Sequence, residues 1–314
     1  TEQAVLVEKT KSEGGRLEQK FVGLVKREGK TKAYPINKVS GAITLLSQAD
    51  GFVQIPEGVT YLQRNEEVNV SLLSQEPSTP ELLVIGSNCK GVHQLINHFD
   101  FQVRYLSRGS MGGIRAIENL VADVAGIHIW TPQGYNVPFL REREIDDVIL
   151  LRGYTREQGL ILPPDNPRSV SSMRDLIEKD LTMVNRTGGS GTRILFDNKL
   201  EEVAGGLGLD FTEVTESLAG YEVELSTHSA VATAVSSGKA DVGMGIKTVA
   251  AGMGLGFVKL QEERFDLLCQ KSFLKSLYGD RLQETLKSSE FQRDLQKLPG
   301  LIPGKDMGKV IYST

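Results

Sequence analysis

Two cysteines in 314 residues, Cys89 and Cys269, are too few for a disulfide framework, and they are read as buried thiols in a reduced setting. Apolar runs stay far short of the roughly 20 residues that a bilayer-spanning helix needs. Positive charge is not in excess either. With 36 Lys and Arg against 40 Asp and Glu, a net charge of −4 and a pI near 5.7, the chain lacks the diffuse positive field that draws a protein onto nucleic acid or an anionic membrane. Any anion it binds must be caught locally. The first residues, TEQAVLVEKTKSEGG, carry neither the basic nor the apolar region of a secretory leader and do not begin with Met, so the expectation is an excised piece of a cytoplasmic protein. Glycine, by contrast, is abundant. Its 33 residues exceed the usual share of about 7%. Many follow apolar runs, where a backbone turns tightly or comes close to a ligand, and this first hints at a binding protein.

From Leu17 to Leu73 short alternating runs (FVGLVKR, FVQIP, EEVNVSLL) are separated by turn signals such as Ala49-Asp50-Gly51 and Pro56-Glu57-Gly58, which predicts a small β-domain over residues 1–73. The polar SQEPSTPE at 74–81, with Pro77 and Pro80, reads as a linker. Beyond it the periodicity changes. Leu82–Ile85 then Gly86-Ser87-Asn88 and a helical pattern to Phe99 spell strand, loop, helix, and the unit recurs at Val103–Leu106 and at Leu181–Val184. Such alternation predicts an α/β domain with a parallel sheet, whose ligands sit outside the carboxyl ends of the strands. Lobe 1 is expected over about 82–150 and 265–314, lobe 2 over about 152–262, with strands crossing between them near 145–160 and 262–270.

The most informative stretch is Asn185-Arg186-Thr187-Gly188-Gly189-Ser190-Gly191-Thr192-Arg193. Its glycines let successive N–H groups converge, Ser190 and Thr192 add hydroxyls, and the helix that follows turns its positive end to the loop. That suits a tetrahedral oxyanion. A capped helix after a Gly-rich turn is the structural alternative, and a nucleoside triphosphate is disfavoured because no Lys completes a G-x-x-x-x-G-K-[ST] loop. Gly86-Ser87-Asn88 and Ser107–Gly113 repeat the chemistry more weakly, which brings in Ser87 and Ser110. Arg186 and Arg193 could add charge. His228, in Thr227-His228-Ser229 before a helix, is expected as a polar residue beside the cleft. It has no Ser/His/Asp or H-x-x-x-H partners to make it catalytic, and His93, His98 and His128 form no metal set. Carboxylates such as Glu157, Asp241 and Glu263 are scattered, with no acid/base pair in view. The ligand-binding set is therefore Ser87, Ser110, Arg186, Ser190, Gly191, Thr192, Arg193 and His228, with no catalytic and no metal-binding residues.

Residues 82–314 resemble the PBP-like domain, a cytoplasmic relative of type II periplasmic binding proteins and of LysR effector domains. The resemblance rests on Gly86-Ser87, the Gly109–Gly113 loop, ADVAGIHIWTPQGYNVPF, REQGLIL, NRTGGSGTR, THSAVATAVSSGKADVGMG and ERFDLL, in that order. Residues 1–73 resemble the C-terminal β-domain of MoeA-type molybdopterin molybdotransferases through AYPINKVSGAITLLSQADGFVQIPEGVTYLQRNEEVNVSLL. The order implies a fusion protein of molybdenum cofactor biosynthesis. The MoeA body that inserts metal is absent from these 314 residues, so the chain itself is not expected to catalyse the reaction, and that body, in cis, is its implied partner. Pro35, Ser40, Gly41, Asp50 and Gly51 could border a pterin site in such a protein, or serve as turn residues.

The resemblance implies a two-lobed type II binding-protein fold after a small all-β domain. It also implies an oxyanion, molybdate or tungstate, held between the lobes for delivery or sensing, with no covalently bound cofactor. The alternative is a regulatory LysR-like effector domain with a small organic, pterin-related ligand, for which Tyr135, Tyr154 and Tyr221 are the aromatics on offer. Neither nucleic acid nor membrane is an expected partner, and a homodimer is compatible with either reading.

Overall fold

The computed structural model describes residues 1–27, 29–36, 48–74 and 80–314. Ser40 and Gly41, named above for a pterin site, lie outside the described residues, as does most of the 74–81 segment.

The N-terminal strands β1 (Glu2–Leu6), β3 (Glu18–Arg27), β4 (Lys30–Pro35), β5 (Gly51–Ile55) and β7 (Glu67–Leu72) close into a barrel in the order β1-β4-β3-β5-β7, and β2 (Thr10–Lys11) pairs with β6 (Tyr61–Leu62) beside it. Closure leaves the main strands without an exposed edge. Alternate residues point inward as the pleat demands, so Val53 and Ile55 of β5 and Val68 and Val70 of β7 join Leu6, Val22, Leu24 and Ala33 in the barrel core.

The α/β part begins with β8 (Leu82–Gly86), α1 (Lys90–Ile96), β9 (Val103–Ser107), α2 (Gly109–Glu118) and β10 (Val124–Ile127). It continues through a small hairpin, β11 (Trp130–Thr131) and β12 (Gly134–Tyr135), then α3 (Val137–Arg143), the fifteen-residue β13 (Val148–Leu162), α4 (Asp175–Glu178), β14 (Met183–Arg186), α5 (Gly191–Gly206) and α6 (Phe211–Ser217). After them come β15 (Glu224–Leu225), α7 (His228–Ser236), β16 (Val242–Ile246), α8 (Lys247–Gly252) and a second fifteen-residue strand, β17 (Gly256–Gln270). The chain ends with α9 (Lys271–Leu274), α10 (Leu277–Lys287), α11 (Ser289–Gln296), β18 (Leu301–Pro303) and β19 (Val310–Ser313).

These elements fall into two compact units. Unit 1 holds residues 1–88, 99–126 and 268–279, and unit 2 holds residues 89–98, 127–267 and 280–314. In unit 1 the barrel shares its compact body with β8, which pairs in parallel with β9 and β10. Arg104 of β9 clamps Asp50 with both guanidinium nitrogens at 2.6 and 2.9 Å and donates to the Tyr34 hydroxyl at 3.1 Å. Asp50 also accepts the Leu24 N–H at 2.7 Å, and Arg27 of β3 reaches Asp123 at 2.6 Å. Gly113 lets α2 sit directly on β8, since a Cβ there would lie 2.6 Å from the Ile85 carbonyl oxygen.

In unit 2 the order is β15-β14-β16-β13-β17, with β18 and β19 also on β13. Pairing is parallel for β14 with β15 and β16, as expected. It is antiparallel for β13 with β16, β18 and β19, so the sheet is mixed rather than parallel. The physical reason is connectivity, because antiparallel neighbours need no helical crossover and the final two strands reach β13 through loops. Leu160, Leu162, Met183, Leu195, Phe196, Val242 and Met244 anchor the core under α5 and α6, and Ile161, Val231 and Val235 seat α7 on the other face.

Candidate functional site

Unit 2 carries the loop on which the sequence focused. Asn185, fully buried at the end of β14, donates to the Tyr221 carbonyl at 3.3 Å and accepts the Arg186 N–H at 3.1 Å, which fixes the start of the loop. Gly189 has φ +76° and allows the reversal into α5. Ser190 caps that helix by accepting the Arg193 N–H at 3.3 Å. Capping and anion binding are compatible, because Ser190 Oγ satisfies one first-turn amide and leaves the others, which have no intrahelical acceptor, at the positive end of a sixteen-residue helix. Thr192 is buried, with its hydroxyl 3.5 Å from Gln158 Nε2.

Around this helix start lies a cluster of buried charge that sequence reasoning passed over. Arg156 and Gln158 share one face of β13, and Glu263 projects from β17; Arg156 is 0% exposed, Gln158 1% and Glu263 2%. Arg156 forms an ion pair with Glu263, Gln158 donates to the same carboxylate, and His128 Nδ1 is 3.1 Å from Glu263 Oε2. The His128 carbonyl and ring are next to Gly191, 3.5 to 3.9 Å from where a Cβ would stand. Burial works to raise the Glu263 carboxyl, but Arg156, His128 and Gln158 outweigh it and hold it at about 2. Arg156 keeps its charge against the same desolvation through Glu263, with Cys89 and Tyr154 beside it.

His228 is the first residue of α7, whose cap Thr227 accepts the Ala230 N–H at 3.0 Å. Burial, and then the positive charges of Arg186 and Arg156, push its imidazole well below the ordinary 6.5. Burial likewise lowers His128, against the pull of Glu263. Both rings are therefore neutral near pH 7. Several buried polar atoms here have no hydrogen-bond partner among the described residues: Nε and Nη1 of Arg156, Nε of Arg186, Nδ1 of His228 and Oε1 of Gln158. Arg186 spends one nitrogen on the Leu225 carbonyl at 2.9 Å. The Arg156 and Arg186 nitrogens are donors, and donors buried without acceptors are costly and uncommon in folded proteins, so an acceptor-rich group can bind to them.

Arg193 is held differently. Its guanidinium binds Asp197 at 2.8 and 2.9 Å and Glu224 at 3.1 Å, and it stacks on the Tyr221 ring 4.4 Å away, so its charge is taken up within unit 2. Ser87 and Ser110 belong to unit 1, where Ser87 is buried and the two hydroxyl oxygens lie 2.9 Å apart at the N-terminus of α2. Of the aromatics weighed for a flat organic ligand, Tyr154 is buried and stacked on Phe265 at 5.1 Å, Tyr221 carries Arg193, and Tyr135 accepts from Gln261 at 2.9 Å. In unit 1, Asp50 and Gly51 have structural work. Asp50 holds Arg104, and a Cβ on Gly51 would meet Val70 and Ser71 at 2.5 and 2.6 Å. Both cysteines are buried and neither is in a disulfide, and among the described residues no group of three or more His, Cys, Asp or Glu is placed to hold a metal ion. No helix among them is long and apolar enough to cross a membrane.

The fold is an α/β domain with a buried charged cluster after a small barrel, and comparison with known proteins gives both parts a family. Residues 94–287 match the model of the PBP superfamily domain and residues 3–73 that of the MoeA C-terminal region (domain IV). The chain belongs to the PBP superfamily and carries a MoeA C-terminal region ahead of that domain. It is similar to the uncharacterized protein YvgK of Bacillus subtilis, with 29% identity over 210 residues, which cover 66% of this chain and 65%, less than two thirds, of that relative. Among solved structures, L-phospholactate-bound PEB3 has a TM-score of 0.52 at 14% identity, covering 71% of this chain and 100% of its own. A putative phosphate ABC transporter substrate-binding protein with bound phosphate from Clostridium perfringens has a TM-score of 0.50 at 15% identity, covering 71% and 99%. These likenesses establish a type II periplasmic-binding-protein-like fold after a small all-β barrel.

Proposed function

We propose that this chain binds a small tetrahedral oxyanion, molybdate or tungstate, in unit 2, for delivery to or sensing on behalf of a MoeA-type transferase body in cis, and that the chain itself turns over no substrate. The observation that carries the reading is the set of buried guanidinium nitrogens on Arg156 and Arg186, with Nδ1 of His228, that have no hydrogen-bond partner among the described residues, in the unit whose helix α5 starts at the Gly-rich loop. Fixed N–H and O–H donors replace the water that a buried dianion loses. Ser190, Gly191 and Thr192 supply the helix-end part of the shell, and Arg186 and Arg156 supply charge. Ser87 and Ser110, a hydroxyl pair on unit 1, stay in the proposed ligand set as residues that Ser87→Ala tests. The MoeA C-terminal region favours molybdate and tungstate over other tetrahedral anions, and it implies the cytoplasm, where transferase and anion supply meet. An organic, pterin-type ligand is less favoured, because Tyr154 and Tyr221 already have partners on their ring faces. Calorimetric titration of the purified chain with molybdate, tungstate, sulfate and phosphate tests the reading. Tightest binding of molybdate or tungstate is expected, and no heat from any of the four at about millimolar concentration, far weaker than ligand-binding domains achieve, refutes it.

A further inference from the structure

Charge bookkeeping within the unit 2 cluster carries the oxyanion reading one step further, and rests on it. Arg156 and Arg186 bring two positive charges, Glu263 one negative charge, and His128 and His228 none near pH 7. The spare charge is +1. A tetrahedral dianion would leave the buried cluster at −1, and a buried net charge is disfavoured unless something neutralises it. His228 is placed to do so, because its Nδ1 is buried with no partner among the described residues and the imidazole feels Arg186, Arg156, Glu263 and His128. In the free site burial, and then the two arginines, keep a proton off it. A bound dianion reverses that field, and a protonated imidazole has donors on both nitrogens, which turns Nδ1 into a further donor. The other elements packed on α7 bring no competing free charge: β16 is apolar, Lys247 at the start of α8 pairs with Glu157 at 2.7 Å, and Glu224 of β15 pairs with Arg193 at 3.1 Å.

We infer that the unit 2 site takes up its oxyanion together with one proton from solvent, carried on His228 when the anion is fully deprotonated near neutrality, as molybdate and sulfate are, and on the anion itself when that anion is basic near neutrality, as phosphate is. The charge then balances, since a site at +1, a dianion and one proton give a neutral complex. The chain is thereby a binder whose grip on molybdate tightens as pH falls.

The test is calorimetric titration of the whole chain with molybdate at about pH 7.5 in two buffers of different ionisation enthalpy, with affinities followed from about pH 6 to 8.5. Uptake approaching one proton is expected, with affinity falling by up to about tenfold per pH unit as pH rises. His228→Asn should still bind molybdate through the arginines and the helix end, but with proton uptake near zero and a flat pH profile. Glu263→Gln, which adds one positive charge to the cluster, should abolish uptake by a second route, so the inference stays testable if one variant fails to fold. Binding of molybdate by the parent without proton uptake and with pH-independent affinity overturns the inference and leaves the oxyanion reading standing. Binding of none of the four anions overturns both.

Discussion

Replacing Arg156 with Met removes the guanidinium and keeps most of the volume. Glu263 is then left 2% exposed with His128 and Gln158 beside it and no arginine paired to it among the described residues. In the parent its carboxyl sits at about 2 rather than 4.5, which is worth on the order of 3 kcal/mol to the folded state at neutral pH, at about 1.4 kcal/mol for each tenfold in proton affinity. Because the folded value is depressed, that stability is present above about 4.5 and is lost as pH falls toward about 2. In Arg156→Met desolvation prevails and the sign inverts: the carboxyl rises above its unfolded value, so its contribution is present at low pH and is lost as pH rises. The variant should thus lose about 3–5 kcal/mol at pH 7, the cost of leaving a buried charge unpaired, and less at about pH 5, where Glu263 holds its proton. Urea unfolding followed by far-ultraviolet circular dichroism at the two pH values measures this. The pair Arg156→Met with Glu263→Met should recover most of the loss, giving a coupling energy of a few kcal/mol. A single variant within about 0.5 kcal/mol of the parent at pH 7, or one hurt more at pH 5 than at pH 7, would refute the reasoning.

Ser190→Ala removes a helix cap and a hydroxyl donor together, so it should cost about 1 kcal/mol in unfolding and weaken molybdate about ten- to hundredfold in calorimetry. Ser87→Ala, tested in the same titration, should weaken binding by a similar factor if the unit 1 hydroxyls touch the anion, and an unchanged affinity removes Ser87 and Ser110 from the ligand set. Gly191→Val should abolish anion binding by crowding the amides at the start of α5 while far-ultraviolet dichroism stays that of the parent. Arg104→Met leaves Asp50 buried with the Leu24 N–H as its remaining bond, and should lower the stability of unit 1 by about 2–3 kcal/mol in urea without altering anion affinity.

The barrel was legible because its strands are buried on one face. Period-two alternation in FVQIP and EEVNVSLL becomes β5 and β7, with the same residues inward. The 185–193 loop was legible because glycines, a capping serine and an apolar helix stripe announce a strand-to-helix turn, and α5 begins at Gly191 after the Ser190 cap. What escaped was the charge beneath that loop. β13 is covered on both faces, so Arg156 and Gln158 interrupt no alternation and look like solvated residues in TREQGLIL. Glu263 lies 107 positions further on, in EERFDLL, and nothing local couples it to Arg156. A signal did exist in the two-residue spacing that puts Arg156 and Gln158 on one face of a strand otherwise rich in Leu, Ile and Gly. Reading it required knowing that β17 pairs beside β13, where a Cβ on Gly153 or Gly159 would stand 2.1 or 2.0 Å from a β17 carbonyl oxygen. Arg193 shows the opposite limit. Sequence puts its cation near the loop, and only the fold reveals Asp197, Glu224 and Tyr221 around it.

The buried cluster also bears on why the fold tolerates it. A buried ion pair is at best near neutral for stability compared with well-packed apolar side chains of the same volume, and the unpartnered nitrogens of Arg156, Arg186 and His228 add further cost. Unit 2 has the means to offset this, since the core beneath α5 and α6 draws on fully buried Leu160, Phe196, Leu200 and Met244. Nothing in the packing of β13 requires charge at Arg156, which lies over the Phe265 ring at 4.7 Å, once Glu263 is replaced with it: Met at both positions would fill the space without leaving a buried charge unpaired. Glu263 makes sense in the same terms: without it the buried cluster would hold two arginine charges with no carboxylate, and with it the spare charge is a single unit. In the proposed reading that unit attracts an anion without neutralising a dianion, and the difference between those two conditions is the role we assign to His228.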